Sequence, residues 1–350
     1  MYRMWKVQRS MYKKVYLLKR YLSIAILFLL VISLLSGCNQ EKKEMVSKNG
    51  FFFDTMISIK ILEEEDRGTK LLEACWSMCE KYEKIFSRTR EDSELYQLNH
   101  RDTQEVQVSE DLFQLFSYGK ACYDRTDGKF DLSVAPLSDL WDFKGDSKQI
   151  PLEQDLQSAL ENVDFSRVHL EEPNQVLFEN PDTMLDVGAL AKGYIADRLK
   201  EYLVSEGIET GWLNLGGNVL TIGEKEEGTP WKIGIRKPFG EEAEICAYVE
   251  VKDSSVVSSG IYERYFEKDG VLYHHVLDPD TGCPAATDLA QVTILSKESL
   301  DGDGWSTSCL LMGYEKAKTM VEAIEDMEAI FVMKDGEIRY TEGCRISLAE

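Results

Sequence analysis

The feature that most constrains the fold is a succession of short β-rich segments between residues 211 and 296, interrupted only by turn residues. These segments read WLNLGGNVLTIG, WKIGIRKP, ICAYVEV, SVVSSGIYERYFEKDGVLYHHVLDP and AQVTILS. Strands in succession, separate from helices, are typical of an α+β domain and not of a doubly wound parallel sheet. We therefore predict one α+β domain of mixed, mostly antiparallel strands with flanking helices. Apolar residues at helical spacing predict those helices over about 70–86, 109–126, 190–206 and 303–325.

Shorter segments complete this prediction. FFFDTMISIKIL (51–62) should form one strand, and further strand candidates lie near 167–178 and 183–186. SRTREDSELYQLN (87–99) should begin as a loop and continue into a short helix that Ser93 caps.

Residues 1–37 have the layout of an export signal. Seven basic and no acidic residues precede the apolar run LSIAILFLLVISLL, which is shorter than the roughly 20 residues that span a bilayer. The run ends in LSGC, where small residues precede Cys38, as suits a peptidase that cuts before a lipidated cysteine. We therefore expect a signal peptide over 1–37, a lipid on Cys38, a polar tether over 38–49 and the functional domain over 50–346. The alternative is an ordinary signal anchor that ends in a cysteine.

The charge of the chain excludes two classes of partner. The formal net charge is −22, and loss of the seven basic residues of the signal would make it −29. Nucleic-acid binding needs clustered Lys and Arg, so we expect no nucleic-acid partner. The same charge disfavours a peripheral hold on anionic lipids, so the lipid itself must attach the protein to the extracytoplasmic face of the cell membrane.

Seven cysteines remain besides Cys38, and an odd number cannot all pair. Their spacing matches no zinc site, and Cys75 and Cys79 lie one helical turn apart on an apolar face. We interpret most of them as small buried hydrophobic residues, and leave a disulfide open.

The segment LDVGALAKGYIAD (185–197) predicts an anion site. A strand should end at Asp186 and a helix should begin near Ala189, so that backbone N–H groups and the positive end of the helix dipole face an anion. Lys192 could add a charge, and Asp186 could accept hydrogen bonds from a ligand. Such junctions are also common without a ligand, so this segment alone leaves a structural role open.

The segment DGDGWSTSCLLMG (301–313) supplies hard oxygen ligands. Asp303 and Thr307 are four residues apart at the start of the predicted helix, so they share one face. A carboxylate and a hydroxyl suit Mg²⁺, which keeps waters and takes phosphate oxygens from its ligand. Ser306 is a weaker candidate for the same site. The alternative is that Asp303 caps the helix and Thr307 belongs to the core.

Two further segments could serve a site for a planar ligand. In YHHVLDPDTG (273–282), His274 and His275 would face opposite sides of a strand, so one could act as a general base while the other is packed or solvated. The loop GKFD is followed by an apolar segment with Trp141, against which a planar ring could pack. Either histidine could equally be structural, and Trp141 is equally suited to a core. The sequence contains no GxGxxG or Walker-type loop, so a dinucleotide would not be held in the Rossmann manner.

Together, and in this order, the segments resemble the ApbE family, the FAD:protein FMN transferases. The resemblance spans about residues 50–345 and implies an ApbE-like, T-fold-related domain. The motifs that carry it are DxGAxAKGYxxD at 186–197, HxxDPxTG at 275–282, DGxST at 303–307, GKFDxxxxPLxxLW at 128–141, SRTxxxSExxxxN at 87–99 and NLGGN at 214–218.

The resemblance implies a reaction and its residues. The protein would bind FAD with Mg²⁺ or Mn²⁺ and join FMN by a phosphoester bond to a Thr or Ser of an acceptor flavoprotein subunit of a membrane redox system, releasing AMP. His275 would be the base, and Asp303 would serve catalysis through the metal. The metal would be held by the Ala189 backbone, Asp303, Ser306 and Thr307. FAD would contact Phe53, Thr89, Lys129, Phe130, Asp131, Asp186, Lys192 and Leu277.

The sequence departs from the family pattern at two of these positions. Many relatives have Met where Phe53 stands and Tyr where Thr89 stands. Two other functions remain open. A pyrophosphatase would release free FMN and AMP, with water replacing the acceptor, whereas a non-catalytic flavin-binding lipoprotein would leave FAD intact.

Overall fold

The computed structural model describes Met11, Lys14, Gly145 and five ranges, which are residues 16–22, 42–143, 148–225, 228–241 and 243–349. The chain divides into two compact units, residues 1–42 and 43–350. In the first unit the described residues up to 22 are helical. Cys38 and most of the predicted signal peptide lie outside the described residues. Within the described part of the chain, no helix has both the length and the apolar character needed to cross a membrane.

The second unit is built on an eight-stranded sheet. Every neighbouring pair in this sheet is antiparallel, and the strand order is β1-β2-β6-β7-β10-β13-β14-β15. The strands are β1 (Glu44–Phe52), β2 (Thr55–Glu63), β6 (Gly211–Leu215), β7 (Asn218–Ile222), β10 (Ser255–Gly260), β13 (Leu289–Ser296), β14 (Glu328–Met333) and β15 (Ile338–Tyr340).

Three small antiparallel sheets surround the main one. They have the orders β3-β5-β4, β16-β9-β8 and β11-β12. Their strands are β3 (Glu105–Gln107), β4 (Val168–Glu171), β5 (Gln175–Phe178), β8 (Trp231–Arg236), β9 (Ile245–Val251), β11 (Tyr265–Lys268), β12 (Val271–His274) and β16 (Ile346–Leu348).

Helices flank the sheets, and the predicted α+β class is confirmed. Long helices pack their apolar residues against β2, β6 and β7, and most residues of β2 and all those of β6 alternate between buried and half-buried positions. The helices are α1 (Glu65–Phe86), α2 (Glu94–Asn99), α3 (Glu110–Arg125), α4 (Ala135–Trp141), α5 (Glu153–Leu160), α6 (Ala191–Ser205), α7 (Ser299–Met312) and α8 (Tyr314–Glu322), with a single 3₁₀ turn at Phe165–Arg167.

The prediction of a single strand over residues 51–62 is wrong, because the structure has two strands there. FFFDTMISIKIL contains a turn at Phe53 and Asp54, whose φ angles of 53° and 58° are the positive values that a tight two-residue hairpin requires. The segment therefore contributes to both β1 and β2, which pair from Phe52–Thr55 outward. Because β1 begins at Glu44, residues 44–49 belong to the sheet and not to the predicted tether.

Two other predicted elements also differ. Residues 183–186 form no strand, because the backbone of Leu185 pairs with the side chain of Asn99 through two hydrogen bonds of 2.8 Å. The helix predicted over 303–325 begins earlier, at Ser299, and breaks at Gly313, whose φ of 76° is unfavourable in a right-handed helix. Asp303 therefore lies in the second turn of α7 and not at its start.

Candidate active site

Helices α6 and α7 cap each other's N-termini. No side chain of the residue before α6 caps it, and the Gly193 N–H donates instead to Oδ2 of Asp303 in α7, at 2.6 Å. In return, the Asp197 carboxylate of α6 accepts from the N–H groups of Ser299 and Leu300 in α7, at 2.7 and 2.8 Å. The first N–H groups of a helix have no partner within it, so each carboxylate satisfies groups of the other helix. This exchange fixes Asp303 against the LDVGALAKGYIAD segment.

The two helices approach most closely at Gly193. A Cβ atom there would lie 2.4 Å from the carbonyl oxygen of Ser299 and 2.7 Å from Cα of Leu300. Both neighbours are backbone atoms, so a larger residue would push α6 and α7 apart. The glycine of the AKGY motif is therefore required by the contact that brings Asp303 to the start of α6.

Asp303 is a buried carboxylate whose hydrogen bonds come from neutral donors. Its side chain is 4% exposed, and its Oδ1 accepts from Nδ2 of Asn218 at 3.1 Å. Burial raises the pKa of Asp303, and the positive charge of Lys192 opposes that rise. A carboxylate has about four lone-pair positions, so two remain after the bonds from Gly193 and Asn218. A cation at those positions would offset the cost of burying the charge.

Three hydroxyl groups of α7 and β10 lie together, and one of them contacts the backbone of Asp303. Ser259 Oγ lies 2.7 Å from Ser306 Oγ and 3.3 Å from Thr307 Oγ1. Ser306 Oγ also donates to the carbonyl oxygen of Asp303, at 3.2 Å. Ala189 lies before the first turn of α6, and the Gly193 N–H that would reach the Ala189 carbonyl in a longer helix is used by Asp303. The predicted metal ligands thus lie on α7 and in the turn just before α6, and the two helices contact each other.

The residues present fit a hard divalent cation. In the part of the chain that the structure describes, no group of three or more His, Cys, Asp or Glu residues could hold a metal ion by itself. One carboxylate, hydroxyls and a carbonyl are an all-oxygen set that Mg²⁺ can use when phosphate oxygens and water complete the shell.

Charged groups from three segments interact electrostatically around Asp303. The positive charge of Lys192 acts on Asp303, Glu263 and His275, and the negative charge of Asp303 acts on Glu263. The loop after β10, which carries Glu263 and Arg264, therefore belongs to the same electrostatic environment as the predicted base.

The two adjacent histidines differ in burial as predicted, although only His274 belongs to a strand and His275 follows it. His274 ends β12 and is 2% exposed, so it is the packed one. His275 is half-buried, and its Nδ1 lies 3.3 Å from the carbonyl oxygen of Arg264. A carbonyl can only accept, so Nδ1 carries the hydrogen and Nε2 is left free to accept a proton. Burial, with the charge of Arg264, lowers the pKa of His275 to about 4.

The predicted flavin contacts at Phe53 and Thr89 lie on two loops that Glu83 joins. One oxygen of the Glu83 carboxylate accepts from the Phe53 N–H at 3.0 Å, and the other pairs with Arg90 at 3.2 Å. Phe53 is half-buried in the β1–β2 turn, whereas Thr89 is exposed. Glu83 therefore holds the turn and the SRT loop beside each other.

Asp186 is held by an arginine that the sequence analysis did not identify. Its Oδ2 accepts from Arg88 Nε at 3.1 Å, and its Oδ1 accepts from the Gly188 N–H at 2.7 Å. Arg88 also pairs with Asp139 of α4. Because Asp186 is half-buried beside the start of α6, it can still accept a hydrogen bond from a ligand.

The GKFD loop contacts the DPDTG turn. Lys129 Nζ donates to both oxygens of Asp278, at 2.8 and 2.9 Å, and to Asp280 at 2.7 Å. The charge of Lys129 is therefore already paired before any cofactor binds. This ion cluster fixes the turn that follows His275.

Phe130 and Asp131 of the GKFD loop and Leu277, just before the turn, face the interior. Phe130 is 2% exposed and Leu277 is 7% exposed. The Asp131 carboxylate accepts from the N–H groups of Ser133 and Phe165. A contact of Phe130 or Asp131 with FAD would therefore have to use their backbone atoms.

The cysteines are free thiols. All seven cysteines in the described part of the chain are unpaired, and the buried ones are Cys75, Cys79, Cys122 and Cys309. Burial raises the pKa of Cys75 and Cys79 to about 12, so both stay protonated. Their interpretation as small hydrophobic residues is confirmed.

Comparison with known proteins identifies the family. The profile of the ApbE family matches residues 53–331. A Klebsiella pneumoniae (strain 342) protein named FAD:protein FMN transferase is 38% identical over 265 residues, which cover 75% of this chain and 82% of that protein. A Treponema pallidum (strain Nichols) protein of the same name is 33% identical over 287 residues, covering 78% of this chain and 79% of that protein.

Solved structures agree with this assignment. The ApbE protein from Thermotoga maritima is similar with a TM-score of 0.78 at 30% identity, covering 85% of this chain and 97% of that one. Flavin Transferase ApbE from Vibrio cholerae gives 0.77 at 26% identity, with the same coverage of 85% and 97%. The chain therefore belongs to the ApbE family, and it is a transferase enzyme.

Proposed function

We propose that the protein transfers FMN from FAD onto a Thr or Ser hydroxyl of an acceptor flavoprotein, with Mg²⁺ or Mn²⁺ bound, and releases AMP. The observation that carries this proposal is the buried Asp303 carboxylate, which the Gly193 N–H and the Asn218 amide hold on the helix that also carries the hydroxyls of Ser306 and Thr307. The relatives named FAD:protein FMN transferase support the same reaction.

The cation would bind Asp303 and Thr307, with the Ala189 carbonyl and Ser306 as further ligands. When bound, it would neutralise the pyrophosphate and stabilise the charge that develops on the AMP leaving group. Lys192, in the first turn of α6, adds a positive charge beside the helix N-terminus, where an anion is favoured. Asp186 would accept a hydrogen bond from the flavin half.

His275 would serve as the general base. The acceptor oxygen attacks the phosphorus of the FMN half, the P–O bond to AMP breaks, and the acceptor's proton passes to Nε2 of His275. The Arg264 carbonyl holds the other nitrogen, which keeps the ring in the tautomer that can accept. Alignment of the acceptor hydroxyl with the leaving oxygen would supply much of the remaining acceleration.

The lowered pKa of His275 predicts activity in mild acid. A base must be neutral, and a pKa of about 4 keeps His275 neutral down to that pH, whereas an ordinary histidine near 6.5 would not be. The pH dependence of kcat/KM reports the pKa values of the free enzyme. We therefore expect kcat/KM to fall on the acid side near pH 4. Initial rates from pH 4 to 8, with circular dichroism to confirm folding at each pH, measure it. Saturating Mg²⁺ keeps Asp303 ionised during these measurements, so a limb near pH 6.5 in a folded protein would contradict this assignment.

The experiment that tests the proposed function measures all three products. FAD and Mg²⁺ are incubated with the protein, with and without an acceptor flavoprotein domain, and in EDTA. AMP and FMN are measured by chromatography and covalent flavin by fluorescence on a denaturing gel. We expect a fluorescent acceptor with matching AMP, both lost in EDTA. AMP with free FMN and no labelled acceptor would favour the pyrophosphatase, and intact FAD would favour the binding protein.

We further propose that a lipid on Cys38 holds the protein at the extracytoplasmic face of the membrane. The basic segment, the short apolar run and LSGC support this proposal. Cys38→Ser should abolish incorporation of labelled palmitate and leave the precursor uncut. Palmitate incorporation equal to that of the wild type in Cys38→Ser would contradict the anchor.

A further inference from the structure

A chain of buried hydrogen bonds ends on the Asp303 carboxylate. Ser255 Oγ donates to Ser299 Oγ at 3.2 Å, and Ser299 Oγ donates to Oδ1 of Asn218 at 2.6 Å. Asn218 Nδ2 then donates to Oδ1 of Asp303 at 3.1 Å. The exposure of these four side chains is between 0% and 4%. The chain joins β10, β7 and α7 at the point where the proposed metal ligands meet.

The two hydrogen-bond partners of Asn218, Asp303 and Ser299, require the same orientation of its amide. An ionised Asp303 can only accept hydrogen bonds, so it must face the NH₂ group. The Ser299 hydroxyl is then left to donate to the amide oxygen. Because each group in the chain donates towards Asp303, the bonds polarise one another in the same direction.

The hairpin between β6 and β7 delivers Asn218 to this position. Gly216 and Gly217 have φ angles of 64° and 94° and form its two-residue turn, after which Asn218 pairs with Leu215. Asn214, on the other side of the turn, accepts from the Gly217 N–H at 2.9 Å. The two asparagines of NLGGN therefore have separate tasks, since Asn214 closes the turn and Asn218 reaches Asp303.

We propose that Asn218 is a positioning residue for the metal site. It holds the Asp303 carboxylate, together with the Gly193 N–H, so that the lone pairs left free face the cation. Asn218 itself does not touch the metal. This inference rests on the proposed function for the metal, but it concerns binding of the cation and not the transfer of flavin.

The test compares two asparagines of one turn by direct metal binding. Titration of the full protein in detergent with Mn²⁺ alone is followed by the electron paramagnetic resonance signal of free Mn²⁺. We expect Asn218→Ala to weaken Mn²⁺ binding about 10–100-fold, as is usual for residues that orient a metal ligand. The matched control Asn214→Ala should bind Mn²⁺ within about twofold of the wild type, because Asn214 does not contact Asp303 and the pairing of β6 with β7 still fixes the position of Asn218. Mn²⁺ affinity unchanged in Asn218→Ala would overturn the inference.

Kinetics supply a second readout that a general loss of structure would not produce. In Asn218→Ala, the Mg²⁺ concentration for half-maximal activity should rise by the same factor, while the KM for FAD at saturating Mg²⁺ stays near that of the wild type. A change in the KM for FAD with no change in the Mg²⁺ requirement would contradict a positioning role.

Two further variants make the outcome unambiguous. If Asn218→Ala does not fold, Ser299→Ala replaces it, because this variant removes the hydroxyl that donates to the Asn218 amide oxygen. Ser299→Ala should also weaken Mn²⁺ binding. A wild-type Mn²⁺ affinity in Ser299→Ala would overturn the inference. Asp303→Ala shows how much Mn²⁺ binding remains when the carboxylate itself is absent. If Mn²⁺ binding is the same in Asp303→Ala and in the wild type, the proposed metal site itself fails. If Asp303→Ala loses binding but Asn218→Ala does not, only the role of Asn218 fails.

Discussion

Asp303→Asn should lower kcat/KM by about 10³-fold or more and remove the dependence of turnover on Mg²⁺. The substitution keeps the size of the side chain but removes the charge that would hold the cation. A metal at a phosphate contributes several kcal/mol to stabilisation of the transition state, and each 1.36 kcal/mol changes the rate tenfold. Steady-state rates against Mg²⁺ concentration measure the effect. Turnover at the wild-type level that EDTA still abolishes would remove Asp303 from the metal site.

A second carboxylate on the same helix supplies the control. Asp301 lies two residues earlier on α7, and its Oδ1 accepts from the Tyr118 hydroxyl at 2.6 Å. An amide oxygen can replace that acceptor, so Asp301→Asn should keep turnover within a few-fold of the wild type.

Asp303→Asn should also remain folded. The raised pKa means that the folded protein favours the protonated form of Asp303 more than the unfolded chain does. Ionisation of this group therefore lowers stability as the pH rises above the unfolded pKa, and a neutral amide removes that cost at neutral pH. This gain offsets the hydrogen bond that is lost where the amide NH₂ replaces one of the two oxygens that accept from Gly193 and Asn218. We expect a melting temperature in EDTA within a few degrees of that of the wild type. A collapse of the melting temperature would make the loss of activity uninformative about the metal.

His275→Ala should lower kcat by about 10²–10⁴-fold and leave FAD affinity nearly unchanged, as loss of a general base implies. The acid limb near pH 4 should disappear with the side chain, and added imidazole should restore part of the rate. Equilibrium binding of FAD and single-turnover transfer separate the two effects. His169→Gln, at an exposed histidine paired with Glu179, is the control and should behave as the wild type. Unchanged transfer in His275→Ala would make His275 structural.

The sequence predicted those parts of the fold that local patterns determine. The periodicity of α1, α3 and α6 gave their type and approximate ends, and Ser93 caps α2 by accepting from the Tyr96 N–H as expected. The motif order also identified the residues that the structure collects around α6 and α7. In each case the signal lies within a few residues of the element that it describes.

The start of α7 could not be predicted from local sequence, because DGDG contains two glycines that only tertiary packing explains. Locally, Gly302 and Gly304 are weak helix formers and indicate a loop. A Cβ at Gly302 would lie 2.4 Å from Val257 Cγ2, and one at Gly304 would lie 2.8 Å from Tyr118 Cε1. Helix α7 packs so closely against β10 and α3 that only glycine fits, and this contact outweighs the helix propensity.

The partners of Asp303 were missed for a similar reason. The N–H of Gly193 is 110 residues away in the chain, and the amide of Asn218 is 85 residues away. Neither helix has a side-chain cap in its own flanking sequence, so no local pattern shows that each would be capped by the other. NLGGN was recognised only as part of the family pattern, and Ser259 gave no signal at all.

The most direct test of flavin transfer is the intact mass of the acceptor after one incubation with FAD and Mg²⁺, with the AMP released in the same sample. The account predicts a mass gain of one FMN less one water on a single Thr or Ser, with one AMP for each flavin attached and no gain with Asp303→Asn. An acceptor of unchanged mass, in a sample where FAD has been converted to AMP and free FMN, would contradict it.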